Sequence, residues 1–266
     1  VNSMYPGVLK HKLMPYGEPI FFKGEYKPNP LYQLYVINFL CEFKLKEGHF
    51  PSIQIKNMPT RYIDNEYLSE SDGPTVLTLT NVDYQLFLDQ YDVKIIEIYC
   101  GYMFMGKIGL FDEYIDYCYN VKTESRFSGD TGTEKIAKLM LNSLYGKFGT
   151  RKHTTPHIPF FDEEKNLVRF KDGKPEEVKG GYIPVATFCT SYAHDIIIRG
   201  AQACGERFVY ADTDSLHVIG TDPIPGLDVD DKRLGAFKLE SRFKRAKFIR
   251  QKTYLEVFDN NGTENI

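Results

Sequence analysis

Tryptophan is missing from all 266 residues, although tyrosine and phenylalanine number 19 each. No apolar run approaches the ~20 residues of a membrane-crossing helix, and no charged-then-apolar leader opens the chain. A soluble protein with no membrane partner is therefore expected. Cysteine is sparse and scattered: Cys41, Cys100, Cys118, Cys189 and Cys204 form no Cys-x-x-Cys spacing and have no nearby His pair. That argues against zinc and disulfide frameworks and for reduced, mostly buried thiols in a cytosolic setting. Internal repeats and low-complexity tails are absent too.

Neither sign of charge dominates, the formal net being -3. The distribution is less even. Residues 232–252 carry nine Lys/Arg against one acid, Glu240, which leaves 24 basic and 35 acidic residues elsewhere. A basic stripe on an acidic body suits polyanion binding at one face, although a solvated charge run has the same composition.

The most informative stretch is Val209-Tyr-Ala-Asp212-Thr-Asp214-Ser-Leu-His217-Val218. Two short apolar runs around a tight polar centre predict a β-hairpin with acids at its tip. Residues two apart on a strand share a face, so Asp212 and Asp214 project together if the extended geometry persists into the turn. Two close carboxylates repel unless a cation lies between them, and oxygen ligands favour Mg²⁺ or Mn²⁺. Solvated turn acids would read the same way. A helix-loop-helix calcium site is disfavoured by His217 in place of the sharp-turn Gly. A sugar-nucleotide transferase, with its Asp-x-Asp on Mn²⁺, stays open.

In chain order, Ser3 is expected to cap a short helix over 4–12 that carries Tyr5. Residues 34–57 read as a hairpin of long strands broken at Gly48, and 75–80 as a strand ending at a helix cap, Asn81. Residues 93–104 are β-rich. A helix over 111–123 ends near Lys122, a loop spans 124–132, and Thr131-Gly-Thr-Glu134 has the form of a capping box. In the following helix Lys138, Asn142 and Tyr145 share one face, while Ile136, Met140, Leu144 and Phe148 share another read as core. Gly146 costs about 1 kcal/mol against Ala there, tolerable if something must come close. Residues 154–184 suggest an exposed hairpin. Residues 186–204 form a long apolar helix under the acidic hairpin, with Cys189 in the core. A polar connection over 222–235 leads to two or three strands over 236–258. If 244–254 is one strand, Lys244, Phe248, Arg250, Lys252 and Tyr254 point the same way, interleaving cations with aromatics as a nucleic-acid groove would.

Taken together, Val1-Asn-Ser-Met-Tyr-Pro6, Lys138-Leu-Met-Leu-Asn-Ser-Leu-Tyr-Gly146, Tyr210-Ala-Asp-Thr-Asp-Ser215 and Lys252-Thr-Tyr254 resemble motifs of the protein-primed family B DNA polymerases of bacteriophages and linear plasmids. They look like motifs A, B and C and the Lys-x-Tyr motif, in order and sensibly spaced. The resemblance implies an α+β palm-and-fingers core: an antiparallel sheet carrying the acidic hairpin, backed by helices, with smaller insertions. Palm would take 1–12 and 182–266, and fingers 109–150. Residues 13–108 and 151–181 resemble the two terminal-protein regions.

By the same resemblance Asp212, Asp214 and the Val1 carbonyl would hold two Mg²⁺ (or Mn²⁺) ions. Lys138 and Lys122 would grip the incoming deoxynucleoside triphosphate, Tyr5 would select its sugar, and Asn142 and Tyr145 would line the nascent pair. Ser143, Gly146, Thr190, Arg250, Lys252 and Tyr254 would meet primer-template DNA. A terminal (priming) protein is a further implied partner, in the cytoplasm of a bacterial or phage-infected cell. Departures exist. The family's Asp before the Val would precede Val1, and no proofreading or thumb region is recognised, so impaired catalysis is expected of this stretch alone. The family's Thr-x-x-Gly/Ala-Arg motif meets Thr190-Ser-Tyr-Ala193-His194, with His for Arg, and the Lys122–Lys138 spacing is long. The alternatives are a non-catalytic module binding DNA or a priming protein, and the sugar-nucleotide transferase.

Overall fold

The computed structural model describes residues 1–55, 66–177 and 180–258. Its first helix, α1 (Met4–His11), starts behind a left-handed Ser3 (φ 51°) whose hydroxyl caps nothing. The expected Ser3 cap is therefore wrong. That backbone turn aims the Ser3 hydroxyl at Lys122, whose Nζ lies 3.4 Å from it. Met4, Val8 and Leu9 bury one side of α1. Its Gly7 backs directly onto Gly235, where an added Cβ would lie 2.5 Å from the Gly235 Cα.

Strand β1 (Met14–Lys23) and β2 (Leu34–Leu45) open the main sheet. β2 does not form a hairpin across Gly48. Among the described residues the short β3 (Gln54–Ile55) pairs with β4 (Glu66–Tyr67), while β2 pairs with β5 (Thr75–Thr80) on one side and β6 (Tyr91–Lys107) on the other. The antiparallel order is β1-β6-β2-β5. Alternation along β2 buries Ile37, Phe39, Cys41 and Phe43 against Phe87 of helix α2 (Asn81–Gln90) and against Tyr91. The cap of α2 is Thr80, which accepts from Asp83 N, and not Asn81, whose Oδ1 accepts from Tyr35 N.

Helix α3 (Asp112–Ser128) runs past the expected end near Lys122, because the polar residues after it are helix-compatible and continue along its surface. Gly129 stops it in the left-handed conformation (φ 77°) that glycine adopts freely. Asp130 then caps α4 (Thr131–Phe148) through Thr133 N, so the capping box is wrong too: Glu134 turns to Arg126 instead. The buried stripe of α4 is Ala137 and Leu141, with Leu144 and Phe148 half-buried. Ile136 and Met140 are 60% and 37% exposed, which corrects their assignment to the core.

Beyond α4, β7 (His153–Thr154) pairs with β10 (Glu176–Glu177) around a hairpin of β8 (His157–Asp162) and β9 (Leu167–Asp172). Both faces of that hairpin are wet. Helix α5 (Ile183–Cys204), with Pro184 in its first turn, buries eleven residues including Phe188, Cys189 and Ile197. It packs on α1, α4, β1 and α2, and on the acidic ribbon of β11 (Phe208–Asp212) and β12 (Ser215–Val218). A second ribbon, β13 (Phe243–Arg250) and β14 (Thr253–Phe258), completes the described chain. The α+β class holds, while the strand expected over 244–254 is broken by a turn at 251–252.

Polar contacts fasten the sheet region to α5. Asp83 accepts from Thr80 and Ser191 and meets His194 Nδ1 at 3.1 Å, and Arg199 bridges to Asp89 at 2.6 Å. Burial pushes the Asp83 carboxyl up, but hydrogen bonds from His194, Ser191 and Thr80 outweigh it and hold the group below its usual 3.8. A depressed carboxyl pKa contributes stability above the unfolded-state value and loses it as pH falls through the folded value. Wild type should therefore lose stability below about pH 4 faster than Asp83→Asn, as denaturant melts at stepped pH would show. Gly7→Ala gains about 1 kcal/mol in helix propensity. The contact with the Gly235 backbone should cost about 1–3 kcal/mol, and a net fall in Tm is expected.

Candidate functional site

The acidic ribbon turns in two residues, Thr213 and Asp214, with Asp212 paired to Ser215 across the strands. Thr213 has φ 41°, so the extended geometry does not persist through the turn, and the two carboxylates are placed differently. Asp212 is held: Lys252 Nζ reaches its Oδ1 at 2.8 Å and Thr213 Oγ1 donates to it at 2.9 Å. Burial raises the Asp212 carboxyl, yet the bonds from Lys252 and Thr213 keep it below the usual carboxylate range. Asp214 is exposed at the tip, and Val1 N donates to its backbone carbonyl.

Residues 1–2 are wedged between that tip and the 232–236 loop. Asn2 N donates to Ala236 O, Gly235 N to Asn2 O, and the Asn2 amide to the carbonyls of Lys232 and Arg233. Next in line is Tyr5, stacked on Tyr145 of α4 with centroids 4.4 Å apart and planes 8° apart. Burial raises the Tyr5 phenol, and Tyr145, Cys189 and the charge of Asp214 raise it further. Tyr145 in turn meets Thr190 Oγ1 at 3.3 Å.

Lys122 is almost fully buried, under the Tyr119 ring at 5.3 Å and against Ser3. Its pKa is lowered by burial first and then by Arg126, Lys138 and Lys238. Three other cations thus gather around Lys122. Tyr145 lies two turns from Lys138 on the same helical face, so the Lys138 helix and the acidic tip meet through the Tyr5–Tyr145 stack. Lys238 stands outside the residues selected from sequence as binding groups. Only its place in the basic 232–252 run marked it.

The other selected residues divide. Asn142, Ser143 and Gly146 are exposed, and a Cβ on Gly146 would meet nothing of the chain within 4 Å. Arg250, Lys252 and Tyr254 do not share one strand face. Lys252 sits in the turn with φ 58°, Arg250 bonds to Thr253, and Tyr254 packs on Tyr210 and Phe248. His194 is tied to Asp83. A groove of about 870 Å³ runs from Tyr5 and Thr213 past Thr190 and His194 to Phe50 and Tyr67.

Among the described residues no three of His, Cys, Asp or Glu gather as a metal cluster. A cation at the tip would draw on two carboxylates at most. Mg²⁺ fits such a donor set, since it is commonly held by one or two carboxylates with waters and substrate phosphates.

A family profile described as DNA polymerase type B, organellar and viral, matches residues 1–226. The chain belongs to that family. The DNA polymerase of Bacillus phage phi29 is 43% identical over 260 residues, covering 96% of this chain and 44% of that protein. That of Streptococcus phage Cp-1 is 37% identical over 272 residues, covering 100% and 47%. A solved ternary complex of the phi29 polymerase with primer-template DNA and incoming nucleotide superposes with a TM-score of 0.86 at 42% identity, over 96% of this chain and 45% of that one. The chain spans somewhat under half the length of these type B polymerases. No helix among the described residues is long and apolar enough to cross a membrane.

Because Lys252 is the main partner holding Asp212 down, Lys252→Met should move the Asp212 carboxyl back up toward 3.8. Carboxyl-carbon NMR titration would read this directly, and an unmoved titration would show that Lys252 does not govern the group.

Proposed function

We propose that the chain is the nucleotidyl-transfer portion of a DNA-directed DNA polymerase that adds deoxynucleotides to a primer 3′-hydroxyl on a DNA template. The observation that carries this reading is the Tyr5–Tyr145 stack, which joins the helix bearing Lys138 to a phenol that feels the charge of Asp214. The solved relative bound to primer-template DNA and incoming nucleotide supplies the ligand classes.

In this reading Lys138 and Lys122 hold the triphosphate and offset charge that builds on it during transfer. Lys238 joins them. Tyr5, its face stacked on Tyr145, floors the sugar site and crowds a 2′-hydroxyl. Asn142 and Tyr145 border the new base pair, and the open surface at Ser143 and Gly146 lets the template come near. Asp212, Asp214 and the Val1 carbonyl hold Mg²⁺ or Mn²⁺, two ions in the family's scheme. Bound there, divalent ions stabilise the attacking 3′-oxygen and the leaving pyrophosphate. Lys252, Tyr254, Arg250 and Thr190 act on DNA through its backbone, positioning the strand without reading sequence. Asp83 engages His194, so the contact made by the family's Arg is not assigned here.

Residues 1–12 and 182–266 then serve as palm, 259–266 lying outside the described residues, 109–150 as fingers, and 13–108 and 151–181 as insertions that meet a terminal protein. A phage-infected cell's cytoplasm is the setting that fits relatives encoded by phages.

Primer extension by the full-length protein tests the reading. Asp214→Ala should abolish extension while leaving salt-dependent primer-template binding in place. Lys138→Ala should cost on the order of 10²–10³ in kcat. DNA binding without extension in wild type would leave a non-catalytic module. No DNA binding and no effect of Lys138→Ala would return the sugar-nucleotide transferase.

A further inference from the structure

Among the described residues the ribbons carrying Asp212 and Lys252 are separate two-stranded sheets, with no backbone ladder fixing one against the other. Side chains join them. Tyr210 of β11 stacks on Phe248 of β13 (4.9 Å, 27°) and tilts against Tyr254 of β14 at 5.6 Å. His217 of β12 occupies the middle, its ring 5.2 Å from Phe248, 5.1 Å from Tyr254 and 6.1 Å from Phe243.

His217 Nδ1 also lies 3.0 Å from Glu256 Oε1, with the two side chains only 11% and 12% exposed. That carboxylate oxygen is buried and has no hydrogen-bond partner among the described residues. The contact is therefore one of proximity, not an aligned hydrogen bond. A buried carboxylate oxygen without a donor is costly, and the imidazole nitrogen lies 3.0 Å from it.

We propose that His217, through Glu256 and the aromatic cluster, is a positioning residue for Lys252. It sets the ammonium beside Asp212, and so sets where the terminal phosphate of a primer strand is held relative to the acids. The linkage is short. Lys252 forms the turn between β13 and β14, its N–H donates to the Tyr210 hydroxyl at 2.9 Å, and its Nζ reaches Asp212 at 2.8 Å. Its φ of 58° is sparsely populated by non-glycine residues, so the turn must be held from outside. Tyr210 is that hold, and Tyr210 is itself seated by the rings of His217, Phe248 and Tyr254.

This inference rests on the polymerase reading, and the test separates the two. In the full-length protein, His217→Phe keeps ring bulk and removes the nitrogen facing Glu256. Primer-template affinity should fall roughly tenfold with the KM for deoxynucleotide unchanged, and adding Glu256→Gln should recover most of the loss. In a Lys252→Ala background His217→Phe should cost nothing further. Equal losses in both backgrounds, or a KM for deoxynucleotide rising in step, would overturn the proposal. Glu256→Gln, close in shape to the native residue, supports the same comparison should His217→Phe not fold. If wild type neither binds nor extends primer-template, the polymerase reading fails. A crystal structure of His217→Phe then still decides the positioning role: Lys252 Nζ displaced from Asp212 supports it, and Nζ in place refutes it.

Discussion

The constraint on which the architecture depends is the burial of α5. Twenty-two residues long and apolar on most of its circumference, it offers a surface to nearly every other part of the chain. Its Val185 and Cys189 meet the cluster of α1, α3 and α4, and Phe188 packs on Leu34 and Phe104 of the sheet. Gly200 leaves just the room that Leu216 of the acidic ribbon fills. The first helix, α4 and the acidic ribbon, far apart in sequence, are brought together because each lays an apolar side on this helix.

On that scaffold the charges are arranged by opposition. Lys122 gives up most of its hydration to sit among three other cations, an arrangement that is unfavourable alone and is relieved only in part by Glu134. A polyanion brought to this place would meet one buried cation, Lys122, beside three solvent-exposed ones, Arg126, Lys138 and Lys238. Asp212, across the cleft, is kept ionised by Lys252.

Much of this was legible in the residues alone, and the misses have physical causes. The acidic hairpin declared itself through two apolar runs and a two-residue centre, and the face shared by Lys138 and Tyr145 followed from helical spacing. Strand partners were harder. β2 pairs with segments that begin thirty or more residues later, and nothing local at Gly48 betrays this. In α3 the polar run after Lys122 resembled a loop because its solvent face carries few apolar residues, while Gly129 and Asp130, the true stop and start, were passed over. The turn at Lys252 has neither Gly nor Pro to announce it, so an unbroken strand was expected. In α4 the core falls on Ala137 and Leu141, one residue round the helix from Ile136 and Met140, a rotation that apolar spacing alone does not fix where both stripes are apolar.

The β8–β9 hairpin has a different bearing. A lone two-stranded ribbon is marginal in water, and this one exposes Phe161, Phe170 and Val168 with no layer of the described chain over either side. Oily rings displayed in this way invite self-association as protein concentration rises. The solution behaviour of the chain at high concentration therefore depends on one small protruding arm as well as on its core.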